Sequence, residues 1–137
     1  MANFTKFQCF VGDVGLKKHD LNADTLKIML TNSTPNAATN TVKTDLTDIT
    51  AQNGYTAGGV DIQNTYSQTA GVGTLAATDF TITASGGSYG PFRYAILYND
   101  TAASKNLIGY WDYGTAVTVA TTEDFTVDFG TSVLTLT

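Results

Sequence analysis

FRYAILYNDTAASKNLIGYWDY, residues 92–113, is the stretch whose reading decides the fold. Residues 92–98 and 107–113 are short apolar runs rich in aromatic and β-branched side chains, which suit strands. The polar segment from Asn99 to Lys105 between them predicts an antiparallel hairpin with a longer loop. Run 92–98 is apolar on both alternations, as expected of a central strand covered on both faces. Period two then places Tyr94, Ile96 and Tyr98 on one face and Ala95 and Leu97 on the other. Tyr110 and Asp112 face opposite to Trp111 and Tyr113.

Working outward, the same period recurs. Leu26, Ile28 and Leu30 alternate with Thr25, Lys27 and Thr31, and Met29 interrupts the polar side. Val60 to Thr65, Phe80 to Thr83, Val117 to Val119, Phe125 to Phe129 and Val133 to Leu136 add further strands. Asn53-Gly54, Gly58-Gly59 and Gly86-Gly87-Ser88 are turn signals, and Gly71-Val72-Gly73 reads as a break. About eight strands spaced roughly ten residues apart predict a mainly β fold, an antiparallel β-sandwich with jelly-roll character. We read residues 1–137 as a single domain without repeats.

Two segments depart from this pattern. Phe4, Phe7, Phe10, Val11 and Val14 recur at spacings of three and four, which predicts a short N-terminal helix. Lys17, Lys18 and His19 would follow its C-terminal end, where cations are favoured. Residues 33–59 form the longest stretch outside the strands. There 45–51 suits one helical turn with Leu46 and Ile49 facing inward, and 36–44 reads as a small polar loop.

Composition narrows the functional classes. The chain carries 7 Lys+Arg against 12 Asp+Glu, a net charge of −5, and only 14% of its residues are charged. This balance disfavours nucleic acid as a partner, because phosphate binding depends on Lys and Arg. Eleven of the acids are Asp and only Glu123 is Glu, so helices laced with charged pairs are not expected. No apolar run reaches the length of about 18 residues that spans a membrane. The start, Met1 to Phe10, lacks the apolar core of a signal peptide, so synthesis in a cytosol-like compartment is expected.

Chemistry has few candidates. The one Cys, Cys9, and the one His, His19, lie on or beside the same predicted helix, where Cys9 suits a small buried apolar group. The acids are scattered, apart from the adjacent Glu123 and Asp124, so neither a metal cluster nor a carboxylate pair for glycoside hydrolysis is selected. Asp128-Phe129-Gly130 spells a magnesium motif with none of its companion motifs. The sequence predicts no enzyme, no cofactor and no metal. The aromatic cluster has three readings: a packed core, a subunit interface, or a platform for a sugar. Interface candidates are Phe4, Phe7, Arg93, Tyr94, Tyr98, Trp111 and Tyr113. Arg93, the only Arg, suits an interface salt bridge, a stacked guanidinium or a plain strand-end charge.

Segment 25–59 (TLKIMLTNSTPNAATNTVKTDLTDITAQNGYTAGG), segment 90–113 (GPFRYAILYNDTAASKNLIGYWDYG) and the ending EDFTVDFGTSVLTLT resemble a family of small virion structural proteins of tailed bacteriophages. The opening FTKF and the turn ASGGS fit the same pattern. The resemblance implies a capsid decoration, or cement, protein on the capsid exterior. Its partners would be the major capsid protein and two further copies of itself in a homotrimer. The length and small polar composition of the 33–59 loop and the N-terminal segment suggest that these contact the shell or a neighbouring subunit. The alternatives are a phage tail, baseplate or fibre component, and a carbohydrate-binding module for host adsorption.

Overall fold

The predicted hairpin is the centre of the molecule. A computed structural model describes residues 3–137; what the sequence reading says of Met1 and Ala2 lies outside them. Strands β7 (Tyr89–Asn99) and β8 (Leu107–Val119) pair antiparallel and form the longest ladder of the fold. They sit inside a five-stranded sheet of order β1-β8-β7-β2-β3, with β1 Phe4–Lys6, β2 Leu26–Thr31 and β3 Val60–Asp61. A three-stranded sheet, β10-β5-β4, is built from β4 Thr65–Thr69, β5 Val72–Ala76 and β10 Leu134–Leu136. Strands β6 (Phe80–Thr83) and β9 (Asp124–Val127) form a two-stranded ribbon. The fold is thus mainly β and antiparallel, layered like a sandwich, with one short helix, α1 (Cys9–Gly15).

Both faces of the large sheet are buried, by different material. Ala95, Leu97, Ile108, Trp111, Leu26, Ile28 and Leu30 point into the main core, against Leu75, Ile82 and Val127 from the smaller sheets. Tyr94, Ile96, Tyr98, Met29 and Leu107 point the other way into a second core closed by Phe7 and Leu46. The alternation read from residues 94–98 is therefore the division between the two cores, while Phe92, beyond the register shift, joins the main one. Met29, the odd apolar residue on the polar side of its strand, belongs to the second core.

The 33–59 segment lies over the sheet as a lid, with Leu46 in the second core and Tyr55 in the main one. Its backbone joins the sheet through Ile49 N to Leu30 O (3.1 Å), Leu107 N to Thr41 O (3.0 Å) and Lys43 N to Lys105 O (3.0 Å). Asp45 fixes the tight turn by accepting from the N–H groups of Thr41 and Val42. The helical turn is a single 3₁₀ turn at Lys43–Asp45, starting two residues before the predicted one. Leu46 points inward as predicted and is buried, and Ile49 packs against the main core.

Three further expectations need correction. The predicted helix is a strand followed by a helix: Phe4 lies opposite Trp111 in the β1–β8 ladder, and α1 begins only at Cys9. The spacing of Phe4, Phe7 and Phe10 places one ring on the main core, one in the second core and one under the helix. Val11 and Val14 face solvent instead of joining them. Second, Gly71-Val72-Gly73 is no break. Ala70 and Gly71 take positive φ and form a two-residue hairpin turn, and Val72 and Gly73 already pair with Thr69 and Gln68. Third, residues 107–119 are one strand, interrupted where Arg93 alone stands opposite Tyr113 to Ala116. Gly114, with φ of 83°, carries the chain through that bulge. These corrections raise the strand count from about eight to ten.

Candidate functional site

The interface candidates divide by exposure. Phe7 and Tyr98 are fully buried in the second core, and Tyr94 is buried beside them. Trp111 is only 4% exposed and lies between the rings of Phe4 (5.0 Å between centroids) and Phe129 (5.9 Å). It presents no open face on which a sugar would stack. Tyr113 is half-buried against Phe125. Its hydroxyl, shielded without a protein partner, has its pKa pushed up by burial. Phe4 covers the edge of Trp111 from strand β1. The aromatic cluster is thus largely the core of the sheet, the first of its three readings.

Arg93 is the exception. Its Nε and Nη2 donate to the two carboxylate oxygens of Asp112 at 2.8 and 3.1 Å. The guanidinium also lies 5.3 Å from the centroid of Tyr94. The pair is exposed, so solvent screens it, and its geometry rather than its energy is the notable feature. The hydrogen bond to Arg93 and the N–H of Gly114 hold the Asp112 carboxyl below its usual range.

Cys9 and His19 turn to different partners. The Cys9 Sγ lies 3.7 Å from Leu107 O and 3.8 Å from Thr41 O. Burial and the nearby Asp13 push its pKa up to about 11. His19 Nδ1 lies 3.0 Å from Asn99 Nδ2, which also donates to Asp24 Oδ2 at 2.7 Å. Burial lowers the His19 pKa, while Asp13 and Asp24 oppose the shift. Asn99 is completely buried and its Oδ1 accepts from the N–H groups of Thr101 and Ala102. This polar knot locks the segment between α1 and β2 onto the β7–β8 loop. No sequence motif marks it; the only hint is an Asn at the end of an apolar strand.

Carboxylates serve mainly to hold loops. Nine of the twelve accept a hydrogen bond from a backbone N–H, among them Asp20, Asp45, Asp48, Asp79, Asp112 and Asp128. Asp48 also accepts from the Tyr55 hydroxyl, which in turn accepts from the Leu30 N–H. Among the described residues no three His, Cys, Asp or Glu side chains gather as a metal site would require. No helix there is long and apolar enough to cross a membrane.

Several open clefts remain among the described residues. One of about 420 Å³ lies between Phe4, Trp111, Asp128, Phe129 and Val133. A second, about 440 Å³, lies between α1 and the β7–β8 loop and is lined by Cys9, Asp13, Lys17 and Asn106. The third, about 340 Å³, runs beneath the C-terminal end of α1 past Val14, His19, Leu21 and Tyr66. Beside it lies the feature that sequence reading missed, an apolar helix face turned to solvent. Comparison with known proteins gave no matching family, no matching characterised relative and no matching solved structure.

Proposed function

We propose that this chain is a structural virion protein of a tailed bacteriophage, bound to the outside of the capsid shell, where it stabilises the major capsid protein lattice. The observation that carries the reading beside the family resemblance is the use of its polar groups. Nine of twelve carboxylates are spent on backbone N–H groups that fix loops around a sheet buried on both faces. Such a chain is a stiff plate with preset loops, which suits a protein whose work is to fit against neighbours. Pre-set loops lose little entropy on binding, so more of each contact remains as affinity.

The mechanism is linkage. A protein that binds the assembled lattice and not its dissociated subunits stabilises the lattice by mass action. Repetition over many equivalent positions turns modest contacts into a large total. A net charge of −5 suits a position away from packaged DNA. The inner side of the 33–59 segment is committed to the two cores, Leu46 to the second and Ile49 and Tyr55 to the main one, so its outer side is the part proposed to meet the shell. Quantifying the chain in purified particles tests the reading. A copy number tracking the major capsid protein is expected, and one tracking tail components would overturn it. Hydrogen exchange of free and particle-bound protein should show added protection in 33–59.

A further inference from the structure

A strand at the margin of a sheet presents backbone groups that another extended chain can pair with. Among the described residues the margin strands are β1, β3, β4, β6, β9 and β10, and β4 (Thr65–Thr69) is the longest of them. It carries no charged residue, no proline and no bulge, the devices that commonly close such an edge.

The register of β4 shows which groups are open. Ala70 and Gly71 make the two-residue turn, so Thr69 and Val72 form a hydrogen-bonded pair. By alternation Ser67 with Thr74 and Thr65 with Ala76 do the same. The N–H and C=O groups of Tyr66 and Gln68 therefore point away from β5. One of these is taken: the Tyr66 N–H donates to Asn22 Oδ1 at 3.2 Å. That side-chain oxygen stands in for the carbonyl of a further strand. Tyr66 O and both backbone groups of Gln68 have no partner among the described residues.

The cleft of about 340 Å³ borders this edge, and Tyr66 belongs to both. Val14 and Leu21 complete its apolar wall, and Val14 is 37% exposed. Segment 9–25 beside it holds Lys17 and Lys18 against Asp13, Asp20 and Asp24, while β4, β5 and β10 hold no charge. The surplus acid suits an occupant that carries a cation. The edge suits an extended backbone, and the cleft suits an apolar side chain standing out from it.

We infer that β4 accepts an extended, cation-bearing segment of a neighbouring shell subunit as an added strand, with one apolar side chain in the cleft of Val14, Leu21 and Tyr66. The inference rests on the virion reading for the source of that segment. Tyr66 packs on the main-core side of the large sheet, whereas Leu46 of the 33–59 segment lies on the other side. A neighbour that also touches the outer side of 33–59 therefore reaches β4 with an arm.

Amide exchange of the free chain and of the chain bound to purified phage particles tests it, with co-sedimentation as the measure of binding. The Gln68 N–H should exchange freely in the free chain and be slowed about 10-fold or more on particles, whereas the Tyr66 N–H should be protected in both. Gln68→Pro removes the outward N–H and leaves the pairs with β5 in place, since proline is tolerated on an edge. It should weaken particle binding by about 10-fold, the equivalent of one or two hydrogen bonds. Val14→Glu, at an exposed position, should weaken binding as well by placing a charge in the cleft. Circular dichroism checks folding, and Val14→Glu with the exchange data decides the matter if Gln68→Pro unfolds. Particle binding with Gln68 exchange unchanged, or undiminished in a folded Gln68→Pro, would overturn the inference and leave the virion reading standing. A chain that binds no particle would overturn both. Protection of Gln68 that appears on concentrating the free chain would assign the edge to a second copy instead.

Discussion

Asn99 Nδ2 donates to Asp24 Oδ2 at 2.7 Å, and this bond ties the segment before β2 to the end of β7. Asn99 is wholly buried, and its Oδ1 takes two backbone N–H groups of the following turn. Asn99→Leu fills similar space but leaves two backbone N–H groups without their acceptor and takes one of two donors from the Asp24 carboxylate. The expected cost is about 3 kcal/mol, since unsatisfied buried polar groups carry their full desolvation penalty. Urea denaturation should show a lower midpoint with an unchanged slope. A loss below about 1 kcal/mol would mean that water replaces the side chain without penalty.

The same Asn99 sets the state of His19. Its oxygen is occupied by Thr101 and Ala102, so its NH₂ faces His19 Nδ1, which must accept. The folded state thus favours the neutral ring, in line with a pKa lowered from 6.5 mainly by burial, against the opposing pull of Asp13 and Asp24. As pH falls through 6.5 the unfolded chain takes the proton first, so stability is flat above 6.5 and declines below it. Asp45, Asp100 and Asp112 are held below their usual 3.8, so their own losses begin at lower pH. Between 6.5 and 3.8 the melting temperature should fall in the native chain and stay nearly level in His19→Gln. Equal slopes in both proteins would refute the assignment.

The two cores were legible because alternation is local. Tyr94, Ile96 and Tyr98 separate from Ala95 and Leu97 by strand geometry alone, whereas Met29, in sequence only an interruption of the polar side of β2, takes its meaning from the second core it enters. The strand at Phe4 was hidden because its pairing partner, Trp111, is more than 100 residues away and a three-residue spacing imitates a helix. Val72 and Gly73 were hidden because two glycines look like a turn. Gly73 is a glycine for another reason: a Cβ there would collide with the Tyr66 ring across the hairpin. Among the interface candidates, burial could not be told from display, because Tyr and Trp serve both. Val11 and Val14 share the predicted packed face with the phenylalanines yet are exposed, since sequence periodicity says which residues share a side but not which side is covered.

Tyr98 connects the sheet to its lid. Its hydroxyl donates to Gly58 O at 2.6 Å, and the ring fills the second core. Tyr98→Phe keeps the ring and removes only the bond, so stability should fall by about 1 kcal/mol. The effect should be local as well. Amide exchange in 53–60 should accelerate more than exchange in β7, by the logic of sub-global opening. Uniform acceleration would show that the lid has no independent opening.

Two glycines give opposite expectations. Gly59 has φ of 88°, and a Cβ there would lie 1.7 Å from Ile28 O. Gly59→Ala should therefore cost more than about 3 kcal/mol, through strain and displacement of the β2 backbone. Gly12 lies within α1 with open space around it. Gly12→Ala should stabilise the monomer by about 0.5–1 kcal/mol through helix propensity. Thermal melts of the two variants, side by side, check both signs.

Cys9 provides a reporter of opening. Burial and Asp13 push its thiol up to about 11, so little thiolate exists near neutral pH. Against an ordinary thiol at about 8.5, the reactive fraction falls by roughly two orders of magnitude. Reaction with a disulfide reagent at pH 8 should be slow in the native protein by a comparable factor and ordinary in urea. Its rate should rise in Asp13→Asn, which removes the charge that raises the pKa but leaves the thiol in place. Fast labelling of the native chain would mean that α1 lifts off the sheet readily, and the slow rate expected here requires that it does not.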